Sequence, residues 1–318
     1  MYNSFLSVVI VLQQPQEARL LPDCLQRLYE ELRDNFSDYE FILVNNWPGL
    51  SLEEEIAPLP DELKHNLYLL TLSRNTNKNH AILAGLDRSN GDYTLIYEFD
   101  FCKQPELALE LFKQSRAENS DIVYLRAKNR RVGWQFRPFY KLFYFILRRY
   151  SALRVDELAH NTRIISRRAL NSLLRLRENL RYMKAIYSIV GYRTSYIETD
   201  KPLESRTEGA FSERFRTSLV AITSFTTFLR SLLLWIFLFS LVFLLGVIVN
   251  ALKVKFTGVD LFGNTGEPFS GWTFLVVLIA VFFATTCLNL YIMSIYLSNI
   301  YNEIKQRPLY IIESIKRF

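Results

Sequence analysis

Short apolar runs alternate with amphipathic segments along the first part of the chain. Short apolar runs bounded by polar residues are typical of buried strands. The predicted strands are 7–12, 41–44, 67–72, 93–97 and 121–125. Apolar positions three or four apart predict helices at 20–32 and 81–86, and Pro105 is placed to open a third helix. Strands that alternate with helices in this way predict an α/β fold, a mostly parallel sheet with helices on both faces.

Two longer stretches further along the chain, 231–252 and 272–297, contain no charged residue. A helix needs about 20 such residues to cross the hydrocarbon core of a bilayer. The alternative is a pair of buried helices in a large soluble core, but both stretches are too long for that and apolar on all faces. A connector with several glycines joins them, so the sequence predicts a transmembrane hairpin over 231–298.

Positive charge flanks both predicted spans on the side away from the connector. Cationic residues precede the first span and follow the second: Arg214, Arg216, Arg230, Lys305, Arg307, Lys316 and Arg317. Because cytoplasmic flanks carry the excess of Lys and Arg, we expect both termini, and a basic tail over 299–318, to be cytoplasmic. Aromatic and cationic residues mix over 136–150 and 211–230, which favours amphipathic helices in the headgroup layer over ordinary packing against the sheet.

The balance of charged residues narrows the possible binding partners. The chain has 38 Lys and Arg against 32 Asp and Glu, a net charge of +6, which suits nucleic acid, anionic lipid or phosphorylated substrates. A membrane hairpin has no function in nucleic-acid binding, so we expect no nucleic-acid partner.

The three cysteines, Cys24, Cys102 and Cys287, are scattered and form no C-x-x-C pair. We therefore expect neither a disulfide framework nor a zinc site, as suits a reducing compartment.

Candidate chemistry lies at the end of the fourth predicted strand. The loop after the first strand, 13–17, contains no glycine, which excludes a G-x-G-x-x-G fingerprint or a P-loop there. Glu98 and Asp100 are two residues apart, so their carboxylates would share a face at a carboxyl strand end, where α/β folds bind ligands. Mg²⁺ and Mn²⁺ take oxygen ligands of this kind. Acid pairs at strand ends are common, however, and a solvated pair is the alternative.

Three segments together resemble one enzyme family. Residues 72–87 (LSRNTNKNHAILAGLD) resemble the "LSRNFGKxxAxxAGL" segment of family 2 glycosyltransferases. The motifs Asn90-Gly91-Asp92, Glu98-Phe99-Asp100 and Pro105-Glu106 resemble the "GD…DxD…PPE" stretch of that family. Residues 296–311 resemble the tail after the last helix in its membrane-bound, polyprenyl-phosphate subgroup. The resemblance implies a GT-A-like domain over 1–210, a juxtamembrane helix over 211–230 and then the hairpin.

The resemblance also implies an activity and a set of site residues. The activity is transfer of a sugar from a nucleotide-diphosphate donor to a polyprenyl (undecaprenyl or dolichyl) phosphate at the cytoplasmic face of a membrane, with Mg²⁺ or Mn²⁺, and a homo-oligomer is compatible with it. Asp100, Asn161 and Arg163 would be catalytic, and Asp100 and Glu98 would hold the metal. The donor would be bound by Gln14, Asn45, Asn46, Arg74, Lys78, Glu98 and Lys103. The acceptor phosphate would be bound by Arg126, Lys128, Arg131 and Arg163.

Several acids of the family pattern are replaced in this chain. The paired aspartates after the second strand are Asn45 and Asn46, and the later acid of "DPPE" is Lys103. The first Asp of "DxD" is Glu98, and the Asp of "GDFRL" is Asn161. A lipid phosphate is ionised near neutral pH, so it needs no strong general base and the change at Asn161 is compatible with an enzyme. The alternative is a catalytically impaired relative that acts as an accessory or binding subunit in a membrane glycan pathway.

Overall fold

The chain forms two compact units. The structure, a computed structural model, describes residues 1–131, 133, 136–151, 155–176, 183–204, 218, 222–259, 261, 263, 271–305 and 307–318. One unit, the α/β domain, comprises Met1–Lys141, Leu153–Glu208 and Gln306–Phe318. The other comprises Leu142–Ala152 and Gly209–Lys305 and contains two long apolar helices.

The α/β domain is built on one large sheet. Its eight strands are β1 (Tyr2–Leu12), β2 (Phe36–Asn45), β3 (Leu67–Leu72), β4 (Tyr93–Tyr97), β5 (Ile122–Ala127), β7 (Ala159–Ser166), β8 (Thr194–Thr199) and β10 (Ile312–Arg317). They lie in the order β10-β3-β2-β1-β4-β7-β5-β8, and the short strands β6 (Arg130–Arg131) and β9 (Leu203–Glu204) pair separately. Only β7 and β10 run antiparallel to their neighbours. The predicted mostly parallel sheet is confirmed.

Helices cover both faces of this sheet. They are α1 (Leu21–Asn35), α2 (Glu53–Ile56), α3 (Asp61–His65), α4 (Lys78–Arg88), α5 (Glu106–Glu118), α7 (Arg167–Arg175) and α8 (Met183–Ile189). Helix α6 (Arg137–Tyr150) instead spans the division between the two units, and its buried Ile146 belongs to a core cluster of the second unit. Val8 and Ile10 of β1 belong to the core cluster with α1 and α5, whereas Val9 and Val11 belong to the cluster with α4, α7 and α8. Successive strand residues point to opposite faces, so a strand covered on both sides reads as one continuous apolar run.

The hydrophobic pattern did not predict β7, β8 and β10, because these strands contain exposed or polar positions. β8 alternates exposed and half-buried residues, and most of β10 is exposed. β7 contains buried polar residues, including His160 and Arg163, that interrupt its apolar pattern. Without an uninterrupted apolar run, such strands carry little signal in the sequence alone.

The last residues of the chain correct the predicted domain boundary. Residues 299–318 were expected to form a separate basic tail, but Ile312–Arg317 is β10, which pairs antiparallel with β3. The Tyr310 hydroxyl also donates a hydrogen bond to Asp87 of α4. The end of the chain is therefore part of the α/β domain and completes one edge of its sheet.

A close helix–sheet contact fixes the position of α4. A Cβ atom on Gly85 would lie 2.3 Å from Val9 Cγ1 and 3.1 Å from Val44 Cγ2, so only glycine allows this approach. The helix begins at Lys78 and is capped by Asn77, whose Oδ1 accepts a hydrogen bond of 2.9 Å from the Asn79 N–H. The glycine of the "AGL" segment thus serves packing, and the packing places Lys78 at the start of the helix.

The second unit contains the two predicted spans. Helices over Phe228–Thr257 and Gly271–Ile304 include the predicted spans 231–252 and 272–297. By length and composition both are apolar enough to cross a bilayer. Most of the juxtamembrane segment predicted over 211–230 lies outside the described residues.

The amphipathic helix predicted over 136–150 is α6. Its Ile146 and Leu147 side chains are buried. Phe139, Leu142 and Phe145 are each more than half exposed and lie three residues apart, hence on one side of the helix. This side has the aromatic and aliphatic character of helices that lie in a membrane interface.

Cys24 and Cys102 form a disulfide, with Cα atoms 4.8 Å apart. The expectation of no disulfide is therefore wrong for this pair, and the cysteine pattern no longer supports a reducing compartment. Cys24 lies on α1 and Cys102 lies just after Phe101, and both are buried. They are 78 residues apart in sequence, so only the packing of α1 against the segment after β4 brings them together.

We predict that one thiol per chain, that of Cys287, reacts with a maleimide after unfolding without reductant, because it is the free cysteine. Prior reduction should raise the count to all 3 cysteines of the chain. Mass spectrometry of the labelled protein measures the count, and Cys287→Ser is the control that should show no reactive thiol before reduction. Labelling of Cys24 and Cys102 without reduction would show that the disulfide is absent.

Candidate functional site

A crevice at the carboxyl ends of β1 and β4 is the best-placed site in the sheet. The chain runs from β1 through β2 to β3 and then crosses to β4 on the other side of β1. The gap between β1 and β4 is therefore the switch point at which open α/β sheets bind ligands. Polar residues from three segments line the crevice: Gln13 and Glu17 after β1, Lys78 of α4, and Glu98 and Asp100 after β4.

Glu98 is enclosed by hydrogen-bond donors. Its Oε1 accepts from Lys78 Nζ at 2.5 Å and from Asn161 Nδ2 at 3.1 Å. Its Oε2 accepts from the backbone N–H groups of Asn161 at 3.0 Å and Thr162 at 3.3 Å. Burial by itself would raise the pKa of Glu98, but the Lys78 ammonium and these donors hold it below its usual range. Glu98 is therefore ionised, and it connects α4 to β7.

The register of β7 against β4 explains why Asn161 meets Glu98. The strands pair antiparallel with Ile96 opposite Arg163, so residues 98 and 161 also lie opposite each other. An aspartate at 161 would place a second carboxylate about 3 Å from Glu98, and like charges that close cannot both stay ionised. An asparagine donates instead. The residue that the sequence presents as a lost acid is a donor that positions Glu98.

Asp100 has a lysine beside it as well. The Lys201 ammonium lies 3.8 Å from Asp100 Oδ1 and also donates a hydrogen bond to the main-chain oxygen of Asp100. Lys201 follows β8, and its own carbonyl oxygen lies 3.3 Å from His160 Nε2. Glu98 and Asp100 thus each have a lysine partner, while the third carboxylate of the crevice, Glu17, accepts hydrogen bonds from the Gln13 and Gln14 N–H groups.

These residues do not fit the Mg²⁺ or Mn²⁺ site that was expected. A divalent ion of this kind needs carboxylate oxygens turned towards it, yet both oxygens of Glu98 are occupied by protein donors. The ammonium groups of Lys78 and Lys201 would also repel a cation. No group of three His, Cys, Asp or Glu side chains in the described part of the chain is arranged to hold a metal. The prediction that Glu98 is a metal ligand is therefore corrected, and Asp100 remains as one lysine-paired carboxylate.

Asn45 and Asn46 brace the loops around the crevice. Asn45 Nδ2 donates to the Leu50 carbonyl at 2.8 Å, and its Oδ1 accepts from the Trp47 N–H at 3.0 Å. Asn46 Nδ2 donates to the Thr76 carbonyl at 2.8 Å, and its Oδ1 accepts from the Thr76 N–H at 2.9 Å. Both side chains are buried; Asn45 closes the loop after β2, and Asn46 joins that loop to the loop before α4. Their contact with a donor stays a prediction.

Three other predicted donor-binding residues lie in loops near the carboxyl strand ends. Gln14 is held by Glu17, whose Oε2 accepts from the Gln14 N–H at 3.1 Å. Arg74 lies in the loop between β3 and α4, and Lys103 follows the turn after Asp100; both are exposed. Their assignment to the donor also stays a prediction.

Arg163 does not point into solvent as a phosphate ligand would. It is 3% exposed. Its Nη2 donates to the His160 carbonyl at 2.6 Å, its Nε donates to the Asn161 carbonyl at 3.2 Å, and its guanidinium lies 3.8 Å from the centre of the Tyr187 ring. The geometry corrects the predicted acceptor and catalytic role of Arg163. Its guanidinium braces the backbone that holds Asn161 against Glu98.

The cations after β5 lie outside the crevice. Arg126 Nε is 3.0 Å from Asp156 Oδ2, and Lys128 Nζ is 2.6 Å from Asp200 Oδ1, so acids already neutralise both. Arg131 is exposed on β6 and lines a separate open groove together with Arg130 and Arg137. The structure therefore does not bring the predicted acceptor cations together with Asp100.

Two lysines of this region carried no signal in the sequence. Lys201 lies beside Asp100, and Lys184 lies on α8 near the Arg130 and Arg163 guanidinium groups. Burial, aided by these two cations, lowers the pKa of Lys184 to about 7. Neither lysine belongs to a sequence motif. Each reaches this region only because the fold brings the loop after β8 and the start of α8 close to it.

Comparison with known proteins shows that the chain is similar to glycosyltransferases. Residues 7–174 match the profile of glycosyl transferase family 2. The chain is 28% identical over 318 residues to an uncharacterized glycosyltransferase of Synechocystis, covering 98% of this chain and 95% of that one. It is 26% identical over 315 residues to the bactoprenol glucosyl transferase of Shigella phage SfX, covering 98% and 99%.

Solved structures with a similar arrangement are more distant. Staphylococcus aureus TarS in complex with UDP-GlcNAc is 13% identical, with a TM-score of 0.42 over 69% of this chain and 65% of that one. The mannosyltransferase PcManGT of Pyrobaculum calidifontis, in complex with GDP-Man and Mn²⁺, is 15% identical, with a TM-score of 0.42 over 68% and 61%. The chain spans less than two thirds of each of these proteins.

The enclosure of Glu98 predicts a pH-dependent contribution to stability. Because the pKa of Glu98 is lowered in the folded state, its contribution is present above the ordinary glutamate value of about 4.3 and is lost as pH falls through the folded-state pKa. Glu98→Gln should therefore lower the free energy of unfolding at pH 7 by roughly 1.5 to 3 kcal/mol. That difference should shrink below about pH 4, as measured by denaturant unfolding of the detergent-solubilised protein.

The control for this measurement is Glu54→Gln, an exposed glutamate on α2, which should change stability by about 0.5 kcal/mol or less. A difference between wild type and Glu98→Gln that stays constant down to pH 2 would contradict the ionised, enclosed state of Glu98.

Proposed function

Because the chain belongs to glycosyl transferase family 2, we propose that it transfers a sugar from a nucleotide-diphosphate donor to a polyprenyl phosphate at the cytoplasmic face of a membrane. The GT-A-like α/β domain, followed by two apolar helices, agrees with this family membership. The observation that carries the proposal is the crevice at the switch point, with Asp100 in its lining and ammonium groups beside Glu98 and Asp100.

The acceptor is inferred from the extent of the similarity. The match to the phage bactoprenol glucosyl transferase covers 98% of this chain, so it includes both apolar helices. A phosphate acceptor also suits the chemistry of the crevice. The phosphate oxygen is already ionised when it attacks the anomeric carbon of the sugar. The bond from that carbon to the diphosphate breaks, and its electron pair stays on the nucleoside diphosphate. No proton has to be removed, so Asn161 and the engaged Glu98 are no obstacle.

The acceptor phosphate requires cations near the crevice. Among the predicted acceptor cations, Arg131 is exposed and lines an open groove. We assign the acceptor phosphate to the open groove that Arg131 lines with Arg130 and Arg137, because guanidinium groups bind phosphate oxygens bidentately. The groove lies next to the crevice along the chain, since Asp200 lines the groove and the following residue, Lys201, contacts Asp100.

The proposed topology has both termini in the cytoplasm. β1, near the start of the chain, and β10, after the second apolar helix, belong to the same sheet. A chain that leaves a domain, crosses a membrane and returns to the same domain crosses it an even number of times, which supports two spans with β1 and β10 on one side. The positive charge that flanks the spans assigns that side to the cytoplasm and the connector to the outside. The homo-oligomer and the lack of a nucleic-acid partner stay predictions.

We predict that a membrane-impermeant thiol reagent labels Leu261→Cys, in the connector, but not Glu313→Cys, on β10, when it is added to intact cells. Both substitutions are made in a Cys287→Ser background, so that the introduced thiol is the one that reacts. After cell lysis both positions should label. Labelling at 313 but not at 261 in intact cells would reverse the proposed orientation.

We predict sugar transfer when the purified chain is incubated with a panel of radiolabelled nucleotide sugars and undecaprenyl phosphate. Asp100→Asn should lower kcat/KM by about tenfold or more, because it removes the carboxylate that holds the Lys201 ammonium at the crevice. Asp61→Asn, on exposed α3, is the matched control and should leave the rate unchanged. If no sugar of the panel is transferred, the accessory-subunit alternative is favoured.

A further inference from the structure

We propose that the crevice binds the diphosphate of its donor through the ammonium groups of Lys78 and Lys201, without a divalent cation. The inference rests on the proposed function, since it concerns the donor of that reaction. It follows from the two lysine–carboxylate pairs, which occupy the place where the sequence predicted a metal ion.

Lys78 presents a fixed positive charge to the crevice. Its side chain is 39% exposed and lines the crevice, while Glu98 takes one of the three N–H bonds of its ammonium. Lys78 is also the first residue of α4, so the positive end of the helix lies at the same point. The contact with Glu98 fixes the direction of a side chain that would otherwise be flexible.

Lys201 supplies a second charge beside Asp100. Its side chain is 37% exposed, and its ammonium lies 3.8 Å from Asp100 Oδ1 and 5.2 Å from the centre of the Phe101 ring. The hydrogen bond to the Asp100 main-chain oxygen orients the ammonium. Asp100 also interacts electrostatically with Lys78.

The charge of the site decides between a metal and the lysines. Among the described residues, three carboxylates line the crevice, and all three already have protein partners: Glu98 and Asp100 are paired with Lys78 and Lys201, and Glu17 accepts hydrogen bonds from the Gln13 and Gln14 N–H groups, so none is left to attract a divalent cation. A nucleoside diphosphate brings its own negative charge, and more of it develops on the leaving oxygen as the sugar bond breaks. Fixed ammonium groups aimed at that oxygen stabilise it in the same electrostatic way as a metal ion.

The experiment is calorimetric titration of the full chain in detergent with UDP and GDP, once with EDTA and once with MnCl₂. At least one diphosphate should bind, and its Kd in EDTA should lie within about threefold of its Kd in Mn²⁺. Lys201→Gln should weaken binding by about tenfold or more, which is the usual effect of losing a charge-assisted contact. Lys113→Gln, at an exposed position on α5 that does not line the crevice, is the control and should bind as wild type does.

Lys78 is tested with a paired variant, because Lys78→Gln alone would leave Glu98 enclosed without its cation. Lys78→Gln/Glu98→Gln removes both charges together, and it should also weaken diphosphate binding about tenfold. Thermal unfolding of each variant shows whether the domain is still folded. Weaker binding by a variant that melts like wild type supports the inference.

The outcomes separate this inference from the proposed function. Binding that requires Mn²⁺ and is lost in EDTA would overturn the inference while leaving the glycosyltransferase proposal intact. Unchanged binding by folded Lys201→Gln, or by the folded paired variant, would also overturn it. If neither UDP nor GDP binds under either condition, both the inference and the proposed donor are wrong.

Discussion

Glu98 carries a negative charge where the protein leaves it little access to water, and the arrangement of the crevice follows from how that charge is satisfied. A buried carboxylate is costly unless it is paired and hydrogen-bonded. Lys78 provides the pairing from the start of α4, and Asn161 and Thr162 provide the donors from β7. One side chain therefore connects α4, β4 and β7 at the carboxyl end of the sheet.

The same interaction changes how the replaced family residues are interpreted. Taken one at a time, Glu98 in place of Asp and Asn161 in place of Asp look like losses of catalytic acids. Together they are complementary. The longer glutamate side chain reaches the Lys78 ammonium, and Asn161 donates a hydrogen bond to the Glu98 carboxylate, which an aspartate at that position would repel. Arg163 adds to this arrangement by holding the backbone carbonyls of residues 160 and 161.

A second constraint concerns the path of the chain. After the second apolar helix the chain returns to the α/β domain and adds β10 beside β3, and Tyr310 bonds to Asp87 of the helix that begins at Lys78. The segment after the helices thus contributes to the sheet and contacts α4. The α/β domain is therefore connected to the two apolar helices at two points of the chain, one before the first helix and one after the second.

The sequence by itself determined the elements whose signal is local. Mostly apolar runs predicted β3 and β4 with their observed bounds and located the cores of β1, β2 and β5, because strands covered on both faces have nearly continuous apolar sequences. Two charge-free stretches located the long helices, and the spacing of Glu98 and Asp100 pointed to the right end of the sheet.

Only the tertiary structure decided which residues meet there. The pairing of Cys24 with Cys102, the placement of Lys201 beside Asp100 and the burial of Arg163 each join segments that are distant in sequence or fix an orientation that residue type does not specify. Strand register aligned Asn161 with Glu98, and strand order placed β10 at the sheet edge. Such contacts depend on how elements pack, and periodicity within one element carries no information about its partner.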